Sequence, residues 1–507
     1  MFVVLQTFHT VSQLVIFPKN RQTAVRFRAD SLREAHKAHN MPSMIPLERS
    51  ILLISCYELG HQPAGIAMPL GLLRRAGLEA DTMDVSVEGF DAEKVRRAGF
   101  VGISVPMHTA LRLGLRIALE VRRLNPDCHI CFYGLYASLN AEFLLEKAAD
   151  SVIGGEFERA LVELITAIQC NAPIDNKRIS TRNRSAKPVL ARLNFSAPDR
   201  SRLVPLEHYA KLDYNGEQRL AGYVEASRGC LHHCTHCPIP PVYNGRFFVV
   251  PADIVLEDIR GLVAAGARHI TFGDPDFLNG PGHSIRVVRS LHQEFPELTF
   301  DFTAKIEHIL RHRDLIPEFA QNGCIFVVSA VESLSDTVLT HLDKGHSRDD
   351  VAEALRILKR ADIVLRPTFV SFTPWGSIDD YIDVLEFVQS HGLIDQVDPV
   401  QYSIRLLVPP GSLLSSKPES GEWLGKLVQE SFSYQWMHPD PRMDELHRRV
   451  SAIVEEAAHR NQDAVETFFR IRELSHSVRG DRSDVKPRLT IDPARLRPPR
   501  LTEAWFC

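Results

Sequence analysis

This 507-residue sequence lacks long apolar runs and an excess of charge of one sign, and these two absences are its most informative ones. The formal net charge of −4 does not favour a general nucleic-acid or membrane-surface binder. The apolar start, residues 1–17, is interrupted by polar residues, is too short to span a membrane and lacks the basic region of a signal peptide. Low-complexity tracts and sequence repeats are absent as well. We therefore expect a globular protein without a nucleic-acid or membrane partner.

The nine cysteines lack the pattern of a disulfide-rich domain. Their number is odd, their spacing is uneven and the chain is long. Three of them, Cys230, Cys234 and Cys237, lie within eight residues, as metal ligands in a reducing compartment do. This usage predicts a cytoplasmic protein with a metal centre.

Strand-like and helix-like segments alternate in the first part of the chain. Strands are expected at "ILLISC", "EADTMDV", "FVGISVP", "HICFYGL" and "DSVIGG", which is typical of a doubly wound parallel sheet. Such sheets bind ligands at the carboxyl ends of their strands, but the G-x-G-x-x-G of an ordinary NAD site is absent. We place this domain at residues 44–175. Residues 1–43 are expected to be an unstructured extension or to result from a mis-assigned start, with translation beginning at Met41 or Met44.

A second series of strands and helices follows a predicted linker at residues 176–215. Its expected strands are "RLAGYVEASRG", "HITFGDPD", "TFDFTAKI", "CIFVVSAVES", "VLRPTFVSF" and "PVQYSIRLL". Six βα units are too few for an eight-stranded barrel but enough for a partial (β/α)6 barrel, which we place at residues 216–425. Residues 426–507 are predicted to form a helical region and an extended tail. The fold class is therefore α/β.

The segment "GCLHHCTHCPIP", residues 229–240, contains the three clustered cysteines in the spacing C-x3-C-x2-C. Three thiolates on one loop can hold three irons of a [4Fe–4S] cluster and leave the fourth iron without a protein ligand. A structural zinc ion would need a fourth ligand, which His232, His233 or His236 could provide. No second CxxC follows, and the loop comes after a strand at the mouth of a βα series, where barrel enzymes place their active sites. This context favours an iron–sulfur cluster over a structural zinc ion.

The longer segment "SRGCLHHCTHCPIP" resembles the cluster loop of the radical S-adenosylmethionine (SAM) superfamily, and the resemblance extends from residue 220 to about 415. It implies that Cys230, Cys234 and Cys237 are the catalytic cluster ligands and that the open iron binds SAM. One electron from the reduced cluster then breaks a carbon–sulfur bond of SAM, which implies an electron donor such as flavodoxin or ferredoxin. His236 stands where many members carry an aromatic residue, so the stacking of the SAM adenine at this position stays open.

Two further segments fit the same resemblance. "FGDPDF" resembles the second-strand motif whose backbone receives the SAM amino group, which implies contacts at Gly273, Asp274 and Pro275; a plain turn after a strand is the alternative. "SAVES" resembles the strand that meets the SAM ribose, with Glu332 and Ser333 as the contacts.

Two cations, Lys305 in "TAKIEHI" and Arg366 in "LRPTF", face the same mouth if strand alternation holds. Either cation could pair with the SAM carboxylate through charge-assisted hydrogen bonds, and exposure at the surface is an equal alternative. In "LDKGHS", Ser347 is predicted to cap the next helix.

A doubly wound domain ahead of such a barrel resembles the cobalamin-binding arrangement of the class B methylases. The signature D-x-H-x-x-G is missing, and the nearest segment, "LGHQPA", has His61 without the Asp or the final Gly. The domain is expected either to bind cobalamin or only to cover the barrel mouth.

The final segment "RLTEAWFC" resembles the radical SAM branch named for its CUAEP or CCAEP tail, at whose first cysteine this sequence stops. A selenocysteine codon misread as a stop predicts UGA and codons for Ala-Glu-Pro after codon 507. That branch includes the enzyme class that forms the carbon–arsenic bond of hydroxyarsinothricin.

The resemblance to that branch implies transfer of the 3-amino-3-carboxypropyl group of SAM to trivalent arsenic. Cys324 and Cys507 are the thiols available to arsenite, although burial in the core is the alternative for Cys324. Two other functions remain open: a cobalamin-dependent radical SAM methyltransferase acting on a small natural product, and a non-catalytic iron–sulfur or zinc sensor.

Overall fold

The computed structural model describes residues 50–174, 176–481 and 495–503. The predicted extension, with Met41 and Met44, and the terminal Cys507 lie outside these ranges. No helix within them is both long and apolar enough to cross a membrane.

The front domain is a five-stranded parallel sheet with the order β2-β1-β3-β4-β5. Its strands are β1 (Ser50–Ser55), β2 (Ala80–Asp84), β3 (Ala98–Ser104), β4 (His129–Tyr133) and β5 (Ser151–Ile153). Its helices are α1 (Ala64–Arg75), α2 (Ala92–Arg97), α3 (His108–Leu124), α4 (Leu135–Leu139), α5 (Ala141–Lys147) and α6 (Glu158–Gln169). An apolar core lies on each face of the sheet, and two-sided burial is the reason that β1 and β3 are apolar between their ends. All five predicted strands are confirmed.

The second domain is a curled seven-stranded sheet with the order β13-β12-β11-β10-β7-β6-β16, in which β16 is Arg500–Leu501. Its strands up to β13, with a small hairpin β8–β9, are β6 (Lys211–Tyr214), β7 (Glu217–Val224), β8 (Ser227–Gly229), β9 (Phe247–Val249), β10 (His269–Phe272), β11 (Thr299–Thr303), β12 (Cys324–Glu332) and β13 (Val364–Phe369). Its helices are α7 (Ile239–Tyr243), α8 (Ala252–Ala264), α9 (Pro281–Glu294), α10 (Ile306–Arg311), α11 (Ile316–Gln321), α12 (Asp336–Leu342), α13 (Arg348–Arg360) and α14 (Ile378–Ser390). Strands β7 and β10 to β13 are parallel, so the predicted partial barrel is confirmed as a half-barrel.

One predicted strand of the half-barrel, "PVQYSIRLL", has a different structure. Pro399–Ser403 form a 3-10 helix, and in the described chain the sheet continues past β13 only as the single bridge between Phe372 and Arg405. Proline lacks the N–H group that a strand ladder needs, which disfavours a regular sixth strand at this place.

The C-terminal region adds a hairpin, two long helices and a returning tail. These elements are β14 (Leu424–Val428), β15 (Ser433–Trp436), α15 (Pro441–His459), α16 (Ala464–Arg479) and β16 (Arg500–Leu501). Strand β16 pairs with β6, while the Pro499 carbonyl accepts a hydrogen bond of 3.4 Å from Arg366 on β13. The tail therefore spans the open side of the half-barrel.

The carboxyl edge of the front sheet covers the mouth of the half-barrel. The ring of His61, which follows β1, lies 4.6 Å from the ring of Tyr223 on β7. The predicted linker is held against the front domain, because Ser180 pairs with Val152 and Val189 pairs with Gly155. The two domains therefore enclose the segment that carries the three clustered cysteines.

Candidate active site

The segment of residues 229–238, here called the cluster loop, is fixed at both its start and its middle. Gly229 has φ +75°, and a Cβ there would lie 2.3 Å from the carbonyl oxygen of Arg246, so only glycine fits. In the middle, Thr235 donates its N–H to Leu342 (3.0 Å) and its hydroxyl to His341 (2.8 Å). The cysteines thus belong to a loop that packing sets in place before any metal binds.

The arrangement of the three thiols suits an iron–sulfur cluster better than zinc. In the part of the chain that the structure describes, Cys230, Cys234 and Cys237 do not form a group whose ligand atoms all lie within 4.8 Å of one another. Tetrahedral zinc with bonds of about 2.3 Å needs sulfurs about 3.8 Å apart, whereas a cube of four irons separates them further. The side-chain amide of Asn279 donates to the Cys230 sulfur (3.5 Å), the kind of contact that tunes a cluster.

Burial keeps the thiols of Cys230 and Cys237 protonated while no metal holds them. It raises the pKa of Cys230, and with the neighbouring Cys234 it raises the pKa of Cys237 to about 12. Binding of a metal cluster must therefore release protons from these cysteines.

A first polar group beside the cluster loop, here called the Glu332 cluster, consists of Glu332, His236 and Lys344. The Glu332 carboxylate lies 3.2 Å from the His236 Nε2 and 3.3 Å from the Lys344 ammonium. Burial alone would raise the pKa of Glu332, but Lys344 and His236 outweigh it and hold the pKa at about 2. Glu332 also has φ +67°, a strained conformation that persists at sites where its surroundings impose it.

A second polar group, here called the Lys305 cluster, contains Lys305, His232, His308, Asp276 and Glu307. The Lys305 ammonium lies 3.1 Å from the His232 Nδ1 and 3.4 Å from the Glu307 carboxylate. The Nε2 atoms of His232 and His308 are 3.1 Å apart, and the His308 Nδ1 is 2.9 Å from the Asp276 carboxylate. Burial and the Lys305 charge lower the pKa of His232 to about 4, so its imidazole is neutral at pH 7.

The predicted SAM contacts after β10 lie against the residues that precede the cluster loop. The buried Asp274 carboxylate accepts from the Ala226 N–H (3.0 Å) and from the Ser227 hydroxyl, and burial raises its pKa to about 7. At Gly273 a Cβ would lie 2.0 Å from the Tyr223 hydroxyl, so this close approach requires glycine. Pro275 follows, half-buried, in the same turn.

The structure brings most of the predicted site residues together, with one clear exception. Ser333 is buried next to Glu332, and its hydroxyl accepts the Ser335 N–H (3.1 Å). Arg366 lies apart from the cluster loop, because its guanidinium bonds Asp398 (2.8 Å) and the carbonyl of the tail residue Pro499. Its assignment to the SAM carboxylate stays a prediction.

Arg228, which the sequence analysis did not single out, connects the cluster loop to the front domain. Its guanidinium contacts Glu158 (2.5 Å) and Glu156 (3.3 Å) at the end of β5, and Glu225 (2.9 Å) on its own side. Burial raises the pKa of Glu156 to about 7, although the Arg228 charge opposes this shift. Three carboxylates around one buried cation fix the distance between the cluster loop and the front sheet.

The carboxyl edge of the front sheet gives a limited fit to cobalamin. Glu58 is half-buried, and its Oε1 has no hydrogen-bond partner in the described chain, as a ligand-facing group would. His61, however, is enclosed by Tyr223 and lies 3.7 Å from the Glu503 carboxylate, so it does not fit as a cobalt ligand. At Gly155 a Cβ would lie 2.2 Å from the Val189 carbonyl oxygen, so the linker occupies that face.

Comparisons with known proteins assign the two domains separately. Residues 224–397 match the family model of the Radical SAM superfamily, and residues 51–165 match the B12 binding domain. Strands β10 to β13, the cluster loop and both polar clusters fall within the first match.

Curated relatives are distant and are matched in part. The chain is 26% identical to the ribosomal protein uS12 methylthiotransferase RimO of Clostridium botulinum over 37% of its own length and 43% of that protein. It is 20% identical to an uncharacterized methyltransferase of Pyrococcus horikoshii over 67% of its own length and 76% of that protein. The chain thus spans less than half of the uS12 methylthiotransferase.

Solved structures support the architecture. The cobalamin-dependent S-adenosylmethionine radical enzyme OxsB superposes with a TM-score of 0.64 at 15% identity, over 85% of this chain and 72% of that one. The radical S-adenosylmethionine methyltransferase TsrM of Kitasatospora setae superposes with a TM-score of 0.56 at 16% identity, over 68% and 71%. This chain is an enzyme that carries a radical SAM domain behind a B12 binding domain, a pair whose cofactors are a [4Fe–4S] cluster, S-adenosylmethionine and cobalamin.

Proposed function

We propose that the enzyme transfers the 3-amino-3-carboxypropyl group of SAM to trivalent arsenic. The binding and cleavage of SAM in this proposal are supported by one observation, the pair of charged clusters on either side of the cluster loop, at Lys305 and at Glu332. The arsenic part rests on the resemblance of the tail to the CUAEP and CCAEP branch. Cys507, the proposed soft ligand, lies outside the described residues, and Glu503, four residues earlier, packs against Gly60 at the domain interface.

The proposed roles of the residues follow from their charges. When bound, the cluster on Cys230, Cys234 and Cys237 supplies the electron that breaks a carbon–sulfur bond of SAM. Lys305 pairs with the SAM carboxylate, and the ionised Glu332 accepts hydrogen bonds from the ribose hydroxyls. Ser333 assists Glu332, while the backbone at Gly273, Asp274 and Pro275 receives the SAM amino group. His236 orients Glu332 and faces the adenine.

The overall reaction balances without a further oxidant. SAM and arsenous acid give methylthioadenosine, an arsonic acid and one proton, because the new carbon–arsenic bond uses the arsenic lone pair. The electron spent on breaking the carbon–sulfur bond is recovered when arsenic goes from the trivalent to the pentavalent state. We further propose a donor of the flavodoxin or ferredoxin type and a cytoplasmic location, which is consistent with the absence of disulfides among the described residues.

A cobalamin-dependent methyl transfer to a small molecule is the second candidate, favoured by the match of residues 51–165 to the B12 binding domain. The enclosed position of His61 argues against a histidine-ligated cobalamin in this domain. The domain boundaries at 44–175, 176–215, 216–425 and 426–507 remain part of the proposal.

Product analysis separates the two candidates. The anaerobically reconstituted, reduced protein is incubated with SAM, with and without arsenite and with and without hydroxocobalamin, and the nucleoside products are quantified. Arsenite-dependent methylthioadenosine supports the proposal, and S-adenosylhomocysteine that requires cobalamin supports methyl transfer instead. If 5′-deoxyadenosine forms while neither methylthioadenosine nor S-adenosylhomocysteine appears, both candidates fail and only the radical SAM assignment stands.

A further inference from the structure

We propose that His232, Asp276 and His308 bind one divalent transition-metal ion at a site separate from the iron–sulfur cluster. Among the described residues they form the group of three potential ligands whose atoms all lie within 4.8 Å of one another. Asp276 and His308 are buried and His232 is half-buried, so the group differs from an exposed acidic patch. The inference does not depend on the proposed arsenic chemistry.

The distances between the three side chains match those around a single ion. The Nε2 atoms of His232 and His308 are 3.1 Å apart, and the His232 Nε2 is 3.8 Å from the Asp276 Oδ2. An ion with metal–nitrogen and metal–oxygen bonds of about 2.0 to 2.2 Å separates its tetrahedral ligands by about 3.3 to 3.6 Å. A small adjustment of the imidazole rings would bring all three atoms into the first coordination sphere.

The fold holds the three ligands in place independently of one another. His232 comes from the cluster loop, Asp276 from the turn after β10 and His308 from α10. Asp276 is fixed by hydrogen bonds from the N–H groups of Leu278 (3.0 Å) and Lys305 (3.3 Å). These bonds account for the position of Asp276, but they do not explain why two imidazoles lie beside it. A site whose ligands are positioned by separate rigid elements needs little reorganisation when the metal binds.

The hydrogen bonding around His308 indicates a missing partner. His308 is 4% exposed, and its Nδ1 makes no hydrogen bond within the described chain, although the Asp276 carboxylate lies 2.9 Å away in an unsuitable direction. Its other ring nitrogen faces the second imidazole instead of a backbone carbonyl. Buried imidazoles are ordinarily satisfied. A cation shared by the two Nε2 atoms would keep the proton of His308 on Nδ1, and a small rotation of the ring would let this N–H donate to the Asp276 carboxylate.

The ligand types identify the class of metal. Two imidazoles and one carboxylate suit borderline ions such as Zn²⁺ and Fe²⁺, and three protein ligands leave a coordination position for water or a substrate oxygen. Glu307, whose carboxylate is 3.8 Å from the His232 Nδ1, is placed to accept the ring N–H of a metal-bound His232. Lys305, now 3.1 Å from that nitrogen, would then leave it and remain available to Glu307 and to the SAM carboxylate.

The test is a zinc titration of the anaerobically reconstituted holoprotein. Bound Zn²⁺ is measured by equilibrium dialysis and elemental analysis, and its ligands are read by X-ray absorption at the zinc edge. We expect one Zn²⁺ per chain with imidazole scattering and without the sulfur shell at about 2.3 Å that capture by the cluster cysteines would give. His308→Gln and Asp276→Asn should each weaken Zn²⁺ binding at least about tenfold.

The matched control is His233→Ala, because His233 is an exposed histidine of the same loop that lies outside the group. It should bind Zn²⁺ as the unmodified protein does, and the iron content of every variant checks that the fold and the cluster are intact. The proposal is wrong if the holoprotein binds no stoichiometric Zn²⁺, if the zinc has sulfur ligands, or if His233→Ala weakens binding as much as His308→Gln. It is also wrong if saturating SAM displaces the ion, since the three residues would then belong to the SAM pocket itself.

Discussion

Two glutamates occupy comparable places in the two sheets and have opposite charge states. Glu332 lies at the end of β12 in the half-barrel, and Glu58 lies three residues after the end of β1 in the front domain. Burial raises the pKa of Glu58 to about 8, although the N–H groups of Gly65 and Ala64 oppose this shift, whereas Lys344 and His236 hold the pKa of Glu332 at about 2. The carboxyl edge of a parallel sheet therefore determines where a ligand binds. The neighbouring cations determine whether that ligand meets an ionised or a neutral carboxyl group.

This difference assigns separate tasks to the two edges. The barrel edge has fixed charges for a charged co-substrate, as an electrostatically organised active site does. The front edge has a neutral carboxyl group at the corresponding position, which suits a cover or the face of a large cofactor. Four predictions test the contrast, beginning with the largest expected effect.

Removal of a cluster thiol should eliminate the chemistry of the barrel edge entirely. We expect Cys234→Ala to lose the uptake of about four irons per chain and all reductive SAM cleavage, because two thiols cannot hold the cube. Iron analysis and product formation measure both effects. The control is Cys170→Ser, an exposed cysteine at the end of α6, which should change neither. Normal iron uptake by Cys234→Ala would contradict the ligand assignment.

Breaking the connection between the two regions should have the next largest effect. Arg228→Ala leaves the buried carboxylates of Glu156 and Glu158 without their cation, and we expect a loss of about 3 to 5 kcal/mol in the free energy of unfolding. Denaturant unfolding measures it. Arg74→Ala removes the exposed pair with Asp199 and should cost less than about 1 kcal/mol. Equal effects of the two variants would show that Arg228 does not join the domains.

The two glutamates should give stability profiles of opposite slope. The folded pKa of Glu332, about 2, is below its usual value of 4.5, so its contribution is present above pH 4.5 and is lost as the pH falls towards 2. The folded pKa of Glu58, about 8, is above 4.5, so its contribution is present below pH 4.5 and is lost as the pH rises through 8.

Unfolding free energies of Glu332→Gln and Glu58→Gln, each compared with the unmodified protein from pH 3 to pH 9, measure these profiles. Glu332→Gln should be destabilising at neutral pH and lose that effect in acid. Glu58→Gln should be most stabilising, relative to the unmodified protein, at the alkaline end. Parallel profiles for the two variants would contradict the proposed difference in charge state between Glu332 and Glu58.

The smallest effect is expected at the helix that follows the Glu332 cluster. Ser347 caps α13 in a capping box with Asp350, which confirms the predicted cap, and Ser377 caps α14 in the same way with Asp380. Ser347→Ala and Ser377→Ala should each cost about 1 kcal/mol in thermal or denaturant unfolding. Only Ser347 is three residues from Lys344, so only Ser347→Ala should also raise the KM for SAM. A similar rise for Ser377→Ala would mean that the helices, and not the Glu332 cluster, govern SAM binding.

The sequence predicts the fold well where one local signal decides it. The strands of both sheets are recognisable because a strand covered on both faces must be apolar, and Ser347 is recognisable because a capping box is a local motif. The prediction of a strand at Pro399–Ser403 is wrong, because its apolar residues fit either structure while its proline disfavours a strand ladder.

The site is predictable only in part, because its groups meet through the fold. The three cysteines lie on one loop, and their spacing is a direct signal. His232, Asp276 and His308 come from three separate elements, so no sequence window contains them together. Lys344 and Arg228 cannot be identified from the sequence, because a basic side chain is ordinarily exposed, and only the positions of the facing carboxylates show that these two are buried.

The return of the tail to the first domain boundary has a consequence for how the protein is made. Arg500 pairs with Asp213, and Glu503 contacts Gly60, so the last described residues complete contacts with the first part of the chain. A contact across nearly 300 residues, here Arg500 with Asp213, cannot form until Arg500 itself has been synthesised. The front domain can fold earlier on the ribosome, but the edge of β6 stays uncovered until β16 has emerged, and an uncovered strand edge can pair with another chain.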